Sequence, residues 1–158
     1  MSAEIIGLRQ WFETPPGRYL LEWERARFDE AVADIFGYHA LQLGLPELDT
    51  LRTNRMPHKW QAIAAPPPAD HAAAFATDFS ALPFAESSLD LVTLPHTLEM
   101  HVDPHATLRE VGRVLVPEGR VANSCLNPAS LWGLRQRRAR LYRRFGFGRL
   151  VLPDSGDF

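Results

Sequence analysis

Cysteine, lysine and long apolar runs are scarce in this chain, and each scarcity excludes something. Cys125 is the only cysteine, so there is no internal disulfide framework and a reducing compartment is expected. No basic or helix-terminal neighbour in sequence lowers its pKa, so it reads as a small buried side chain and not as a nucleophile. Lys59 is the only lysine, which leaves positive charge almost wholly to arginine and points to genome composition before mechanism. The net charge of −2 removes any global electrostatic case for nucleic acid or anionic membrane. No apolar run approaches the roughly 20 residues that span a bilayer. Met1 to Leu8 shows no basic start followed by an apolar block, so no secretory leader is expected. These absences predict a soluble, cytoplasmic protein.

What is present is apolar content, 46% of 158 residues, enough for a core, and a length that suggests one domain. Trp11 to Phe36 is predicted as a helix, with Thr14 as cap, Pro15 and Pro16 in the first turn and Gly37 as its stop. Leu21, Phe28, Ala31, Val32 and Ile35 share one face, and Glu24 interrupts that stripe, which predicts a lid or edge helix. Strands are expected over Tyr38 to Leu43, Trp60 to Ala65, Phe75 to Thr77, Leu89 to Leu94 and Val121 to Leu126. Leu89 to Leu94 is apolar on both faces, as a central parallel strand requires. Asp103 and Pro104 start a helix whose buried face is read as Leu108, Val111 and Leu115, followed by a turn at Pro117-Glu118-Gly119. Pro66 to Pro68 form a stiff connector, and Ala129 to Phe145 is a last helix with Arg137, Arg140, Arg143 and Arg144 on one side. Strands alternating with helices predict a parallel α/β sheet. Three parts are read within one domain: a helical lid over 1–37, an α/β core over 38–127, and an Arg-rich helix and tail over 128–158.

Packing alone does not explain the order of residues from Asp78 to Pro104. Asp78-Phe79 is followed by Leu82-Pro83-Phe84, then by Ser87-Ser88, then by the strand Leu89-Asp90-Leu91-Val92, and finally by His96, Glu99, His101 and the Asp103-Pro104 helix start. This segment resembles the centre of the small-molecule class I methyltransferases that use S-adenosylmethionine, of the type 11 kind. In outline the resemblance covers most of Tyr38 to Asn127, and it is close at this segment and at the turn near Gly119. More narrowly, Phe36 to Gly44 and Leu126 to Arg135 look like a proteobacterial branch of that family with a degenerate glycine-rich motif. The resemblance implies a Rossmann-like three-layer α/β sandwich, truncated after the fifth strand and following helix, because the family fold continues with another helix and an antiparallel strand pair. It also implies S-adenosylmethionine as cofactor and a small-molecule methyl acceptor. Where that family carries a glycine-rich turn after the first strand, this chain has Gly44 alone, followed by Leu45-Pro46-Glu47. Gln42 stands where an acid is often found. No acid ends the second strand to hold ribose hydroxyls, and Asp70 is a poorly spaced stand-in.

Candidate site residues follow from the resemblance and from the rule that ligands bind at the carboxyl edge of an open α/β sheet. Asp78 is placed to accept from the exocyclic amine of adenine, beside the backbone N–H and apolar wall of Phe79; alternatively it caps its own turn. Leu82 either closes over the base or only packs. Gly44 lets backbone approach the cofactor. His96, directly after the fourth strand, lies where the family puts residues beside the transferred methyl group, and His96 or His101 is a candidate proton acceptor, with Glu99 near both. Asp90 reads as structural. His96, His101 and His105 have the right types for a metal but no paired ligand spacing. Three functions remain in play: a methyltransferase acting on a small molecule, a methyltransferase-like binding or regulatory domain without activity, and a nucleic-acid or membrane-surface binder carried by Arg135 to Arg149.

Overall fold

A computed structural model describes residues 11–65 and 74–125. The predicted triple-proline connector, Asp70, the Asn127-Pro128 break, the Arg-rich helix and the tail lie outside the described residues. Helix α1 spans Pro15–Val32. The Thr14 hydroxyl accepts from Gly17 N and donates to Trp11 O, so the cap and the two prolines start the helix as their chemistry requires. Its end is set from far away. Asn54 Nδ2 donates to Val32 O at 2.7 Å and to Ile35 O at 3.0 Å, taking the orphan carbonyls well before Gly37. Gly37 serves a different purpose from the expected helix stop. A Cβ there would lie 2.5 Å from Asp90, whose Oδ2 accepts from Tyr38 N and His39 N and so tethers the start of the first strand. Asp90 is structural, as read.

The strands are β1 (His39–Leu43), β2 (His58–Ile63), β3 (Ala74–Ala76), β4 (Leu89–Pro95) and β5 (Leu115–Ser124). All pair parallel, in the order β3-β2-β1-β4-β5. Between β4 and β5 lie α2 (Thr97–Met100) and α3 (Pro104–Val114). Asp103 caps α3 through Ala106 N, with Pro104 in its first position, as read. Its buried face is Thr107, Val111 and Val114; Leu108 is exposed and Leu115 already belongs to β5. The face turns because Thr107 can be buried, with its hydroxyl bonded to Asp103 O and His101 Nδ1. The expected turn at Pro117 to Gly119 is absorbed within β5: Leu115 faces Leu89, and pairing resumes at Arg120 opposite Leu91.

Side chains on the two sheet faces build two cores. On one face Ala40, Leu91 and Ala122 pack with Phe12, Phe28 and Val32 of the α1 region and with Leu45, Leu48 and Leu51. On the other, Leu41, Leu43, Ala62, Val92 and Leu94 pack with Phe79, Leu82, Val111 and Val114. The result is the three-layer α/β sandwich expected. The link from β1 to β2, residues 44–57, carries turns instead of a helix. Lys59 ties it down, donating to Leu51 O and Asn54 O. Among the described residues no helix is long and apolar enough to cross a membrane.

Candidate active site at the carboxyl edge

Because every pairing is parallel, the ends of β1, β3 and β4 point the same way, and the order reverses between β1 and β4. Such a reversal opens a crevice at the strand tips. At the β1 tip, Gly44 takes φ +78 and its N–H donates to Ala62 O at 2.7 Å. That φ favours glycine, and a Cβ would meet Thr97 Oγ1 at 3.2 Å. The Thr97 hydroxyl donates to Leu43 O, which ties the β1 tip to the first residue of α2.

Behind Gly44, the fully buried Gln42 is a hub. Its Nε2 donates to the carbonyls of Gly44 (3.0 Å), Leu45 (3.0 Å) and Leu48 (2.7 Å). Its Oε1 accepts from Thr50 N and Thr50 Oγ1, and Thr93 Oγ1 then donates to Thr50. A carboxylate has no donor for these carbonyls; a carboxamide has two N–H groups, which the three carbonyls share. The exchange of acid for amide at this position is therefore matched by a loop that turns carbonyls inward. Leu45, Leu48 and Leu51, all buried, pack into the core with Phe12 and Phe28.

At the β3 tip, Asp78 Oδ1 accepts from Ser80 N (2.8 Å) and Ser80 Oγ (2.6 Å), so the turn-capping role is present. The Ser80 hydroxyl, then its N–H, and the nearby His101 hold the Asp78 carboxyl below the usual range against slight desolvation. Neither Asp78 Oδ2 nor the Phe79 N–H makes a hydrogen bond among the described residues. The Phe79 ring is buried and stacks on His101, centroids 5.5 Å apart. His101 Nδ1 faces Asp103 N and Thr107 Oγ1. Leu82 is buried, and α3 pins its backbone: its N–H donates to Glu110 Oε2 and its carbonyl accepts from Arg113, which also bonds Phe84 O. Arg113 holds the Glu110 carboxyl below its ordinary value.

At the β4 tip, His96 is fully buried and left-handed, φ 54. Its Nε2 lies 2.8 and 2.9 Å from the two carboxylate oxygens of Glu24. Glu24 thus belongs to the buried face of α1 and does not break it. Gly44, Phe79, Thr97 and His101 come together; His96 is drawn instead toward α1 and Phe12. Glu24, Gln42 and Thr97 are the residues that the sequence reading missed as site-builders. For Glu24 a signal existed: an acid at helical spacing from Phe28 and Val32 must find a partner if buried. Ala64 and Ala65, which follow β2, offer nothing to ribose hydroxyls. Cys125 is half-buried. Among the described residues no three His, Cys, Asp or Glu side chains gather around a metal position.

This geometry can be set beside known proteins. Residues 54–123 match the family described as methyltransferase domain. Over 127 residues the chain is 32% identical to the protein YafS of Escherichia coli K12; the match takes in 80% of this chain and 51% of that one, so the chain spans about half the length of this relative. Among solved structures, a possible histamine N-methyltransferase of Thermotoga maritima superposes with a TM-score of 0.62 at 14% identity, covering 88% of this chain and 68% of the other. A methyltransferase of Archaeoglobus fulgidus gives 0.60 at 17%, covering 84% and 63%. The methyltransferase CalH, solved with S-adenosylhomocysteine, gives 0.54 at 17%, covering 79% and 44%. At these identities the structural likenesses speak for the fold. With the sheet order and these solved neighbours together, the chain has the class I methyltransferase fold, and its residues 54–123 are similar to the methyltransferase domain family.

Proposed function

We propose that the chain binds S-adenosylmethionine in the carboxyl-edge crevice and directs its methyl group to a small-molecule acceptor, in a cytoplasmic setting and without a nucleic-acid partner. One observation carries this reading. Asp78 Oδ2 and the adjacent Phe79 N–H present an acceptor beside a donor, both without partners among the described residues. That pair complements the amine and neighbouring ring nitrogen of adenine. Phe79 and Leu82 would wall the base, and Gly44 would let backbone approach at the β1 tip. When bound, the sulfonium supplies an activated methyl group on a good leaving group. The chain's own task is then alignment and exclusion of water. Of the two histidines, His101 suits proton acceptance from the acceptor, because His96 is fully buried with its Nε2 committed to Glu24.

A second reading, a binding or regulatory domain without transfer, is favoured by the Gln42 hub and the leucines that stand where glycines are expected. Calorimetry and thermal shift with S-adenosylmethionine and its demethylated product test the first. Binding is expected, and Asp78→Ala should weaken it about tenfold, the worth of one charged hydrogen bond. No heat and no shift at millimolar ligand would sink the site. Binding without formation of the demethylated product, across a panel of small amines, thiols and phenols, would support the second reading.

A further inference from the structure

We propose that His39 and His58 form a second site, a two-imidazole clamp for a borderline divalent cation of the zinc, nickel and copper class, at the amino edge of the sheet. It lies at the opposite end of the strands from the crevice and does not depend on what the crevice binds.

Placement comes from the ladder. His39 and His58 are the first residues of β1 and β2 and direct partners in their parallel pairing, so the two side chains leave the same face of neighbouring strands. Their rings stack with centroids 5.2 Å apart and planes 16° apart. The backbone beneath is fixed: His39 N donates to Asp90 Oδ2, and His58 N donates to Tyr38 O. Availability comes next. No ring nitrogen of either histidine makes a hydrogen bond among the described residues. The histidines at the carboxyl edge differ, since His96 Nε2 faces Glu24 and His101 Nδ1 faces Asp103 N and Thr107 Oγ1. His58 is exposed and His39 half-exposed, so water can reach the pair. No third His, Cys, Asp or Glu completes a metal group with them among the described residues, which leaves the remaining coordination positions to water.

Chemistry selects the ion. Imidazole nitrogens bind zinc, nickel and copper, whereas magnesium and calcium require oxygen ligands. Two nitrogens on one such ion lie roughly 3 Å apart, given zinc–nitrogen bond lengths. Rings 5.2 Å apart at their centres meet that spacing at their edges when each tilts toward the other, a rotation that the broad χ2 of histidine allows. Trp60 reports the event, because its ring lies 5.7 Å from His39 and 6.0 Å from His58, nearly parallel to both. A bound ion joins the starts of β1 and β2 and stabilises the folded chain, since the unfolded chain does not hold the two side chains together.

The test is titration of the tag-free whole chain with zinc, nickel and copper salts, followed by calorimetry and tryptophan fluorescence, with magnesium as control. Binding is expected for the first three and not for magnesium. His39→Gln and His58→Gln should each weaken it by roughly a hundredfold, the loss of a two-point attachment, and abolish the rise in thermal midpoint that the ion produces. Nickel and copper should quench the share of emission that Trp60→Phe removes. A parent chain that binds none of the three ions, equal responses to zinc and magnesium, or undiminished quenching in Trp60→Phe overturns the site. Because His58 is exposed, His58→Gln should keep the metal-free midpoint of the parent; a variant that folds so and still binds as the parent does also overturns it.

Discussion

Replacing Gln42 by the acid often found at the corresponding position of the methyltransferases it resembles should damage the chain instead of repairing it. In Gln42→Glu, the Nε2 donors to Gly44 O, Leu45 O and Leu48 O are lost, and an oxygen faces those three carbonyls inside a fully buried site. The two N–H donors lost are worth about 1 kcal/mol net each, and three carbonyls left without donors add desolvation cost, so the penalty is about 3–5 kcal/mol. For a domain of this size that lowers the thermal midpoint by roughly 10 °C. The amide orientation is not in question, since Thr50 N can only donate and the three carbonyls can only accept. Thermal and urea denaturation of both proteins measure the effect, and pH supplies an internal control. A buried acid with no cationic partner has its folded pKa raised above the usual value of about 4.3. Its neutral form can donate one bond, so the penalty should shrink as pH falls toward that value and grow above it. An unchanged or raised midpoint at neutral pH would refute the inward-carbonyl account of this loop.

Two further outcomes follow from the same kind of reasoning. Gly37→Ala should cost about 2–3 kcal/mol, because a Cβ 2.5 Å from Asp90 displaces the carboxylate that holds Tyr38 N and His39 N; urea denaturation checks it. Glu110 has its folded carboxyl held below 4.5 by Arg113, so its stabilisation is present above that value and is lost as pH falls through the depressed folded pKa. Thermal midpoints followed from pH 6 to pH 3 should therefore fall less steeply in Glu110→Gln than in the parent, with Asp78 and Asp29, also depressed, carrying part of the remaining slope.

The sequence by itself determined whatever depends on neighbours a few residues apart. Thr14 with two prolines, and Asp103 with Pro104, start helices through contacts three residues long. Apolar runs place β1 and β4, and the Asp78-Phe79 pair sits at a strand tip because its strand ends just before it. Tertiary structure decided whatever depends on which distant groups the sheet order brings together. The end of α1 was set by Asn54, the need for glycine at Gly37 by Asp90, and the partner of His96 by a carboxylate that looked like a flaw in an apolar stripe. Gln42 could be seen as a departure from an acid, but its meaning required the three carbonyls that the 44–57 link folds back onto it. Local hydrogen bonds and periodicity are encoded within one turn of chain, whereas a buried polar group takes its role from partners whose proximity only the completed packing supplies.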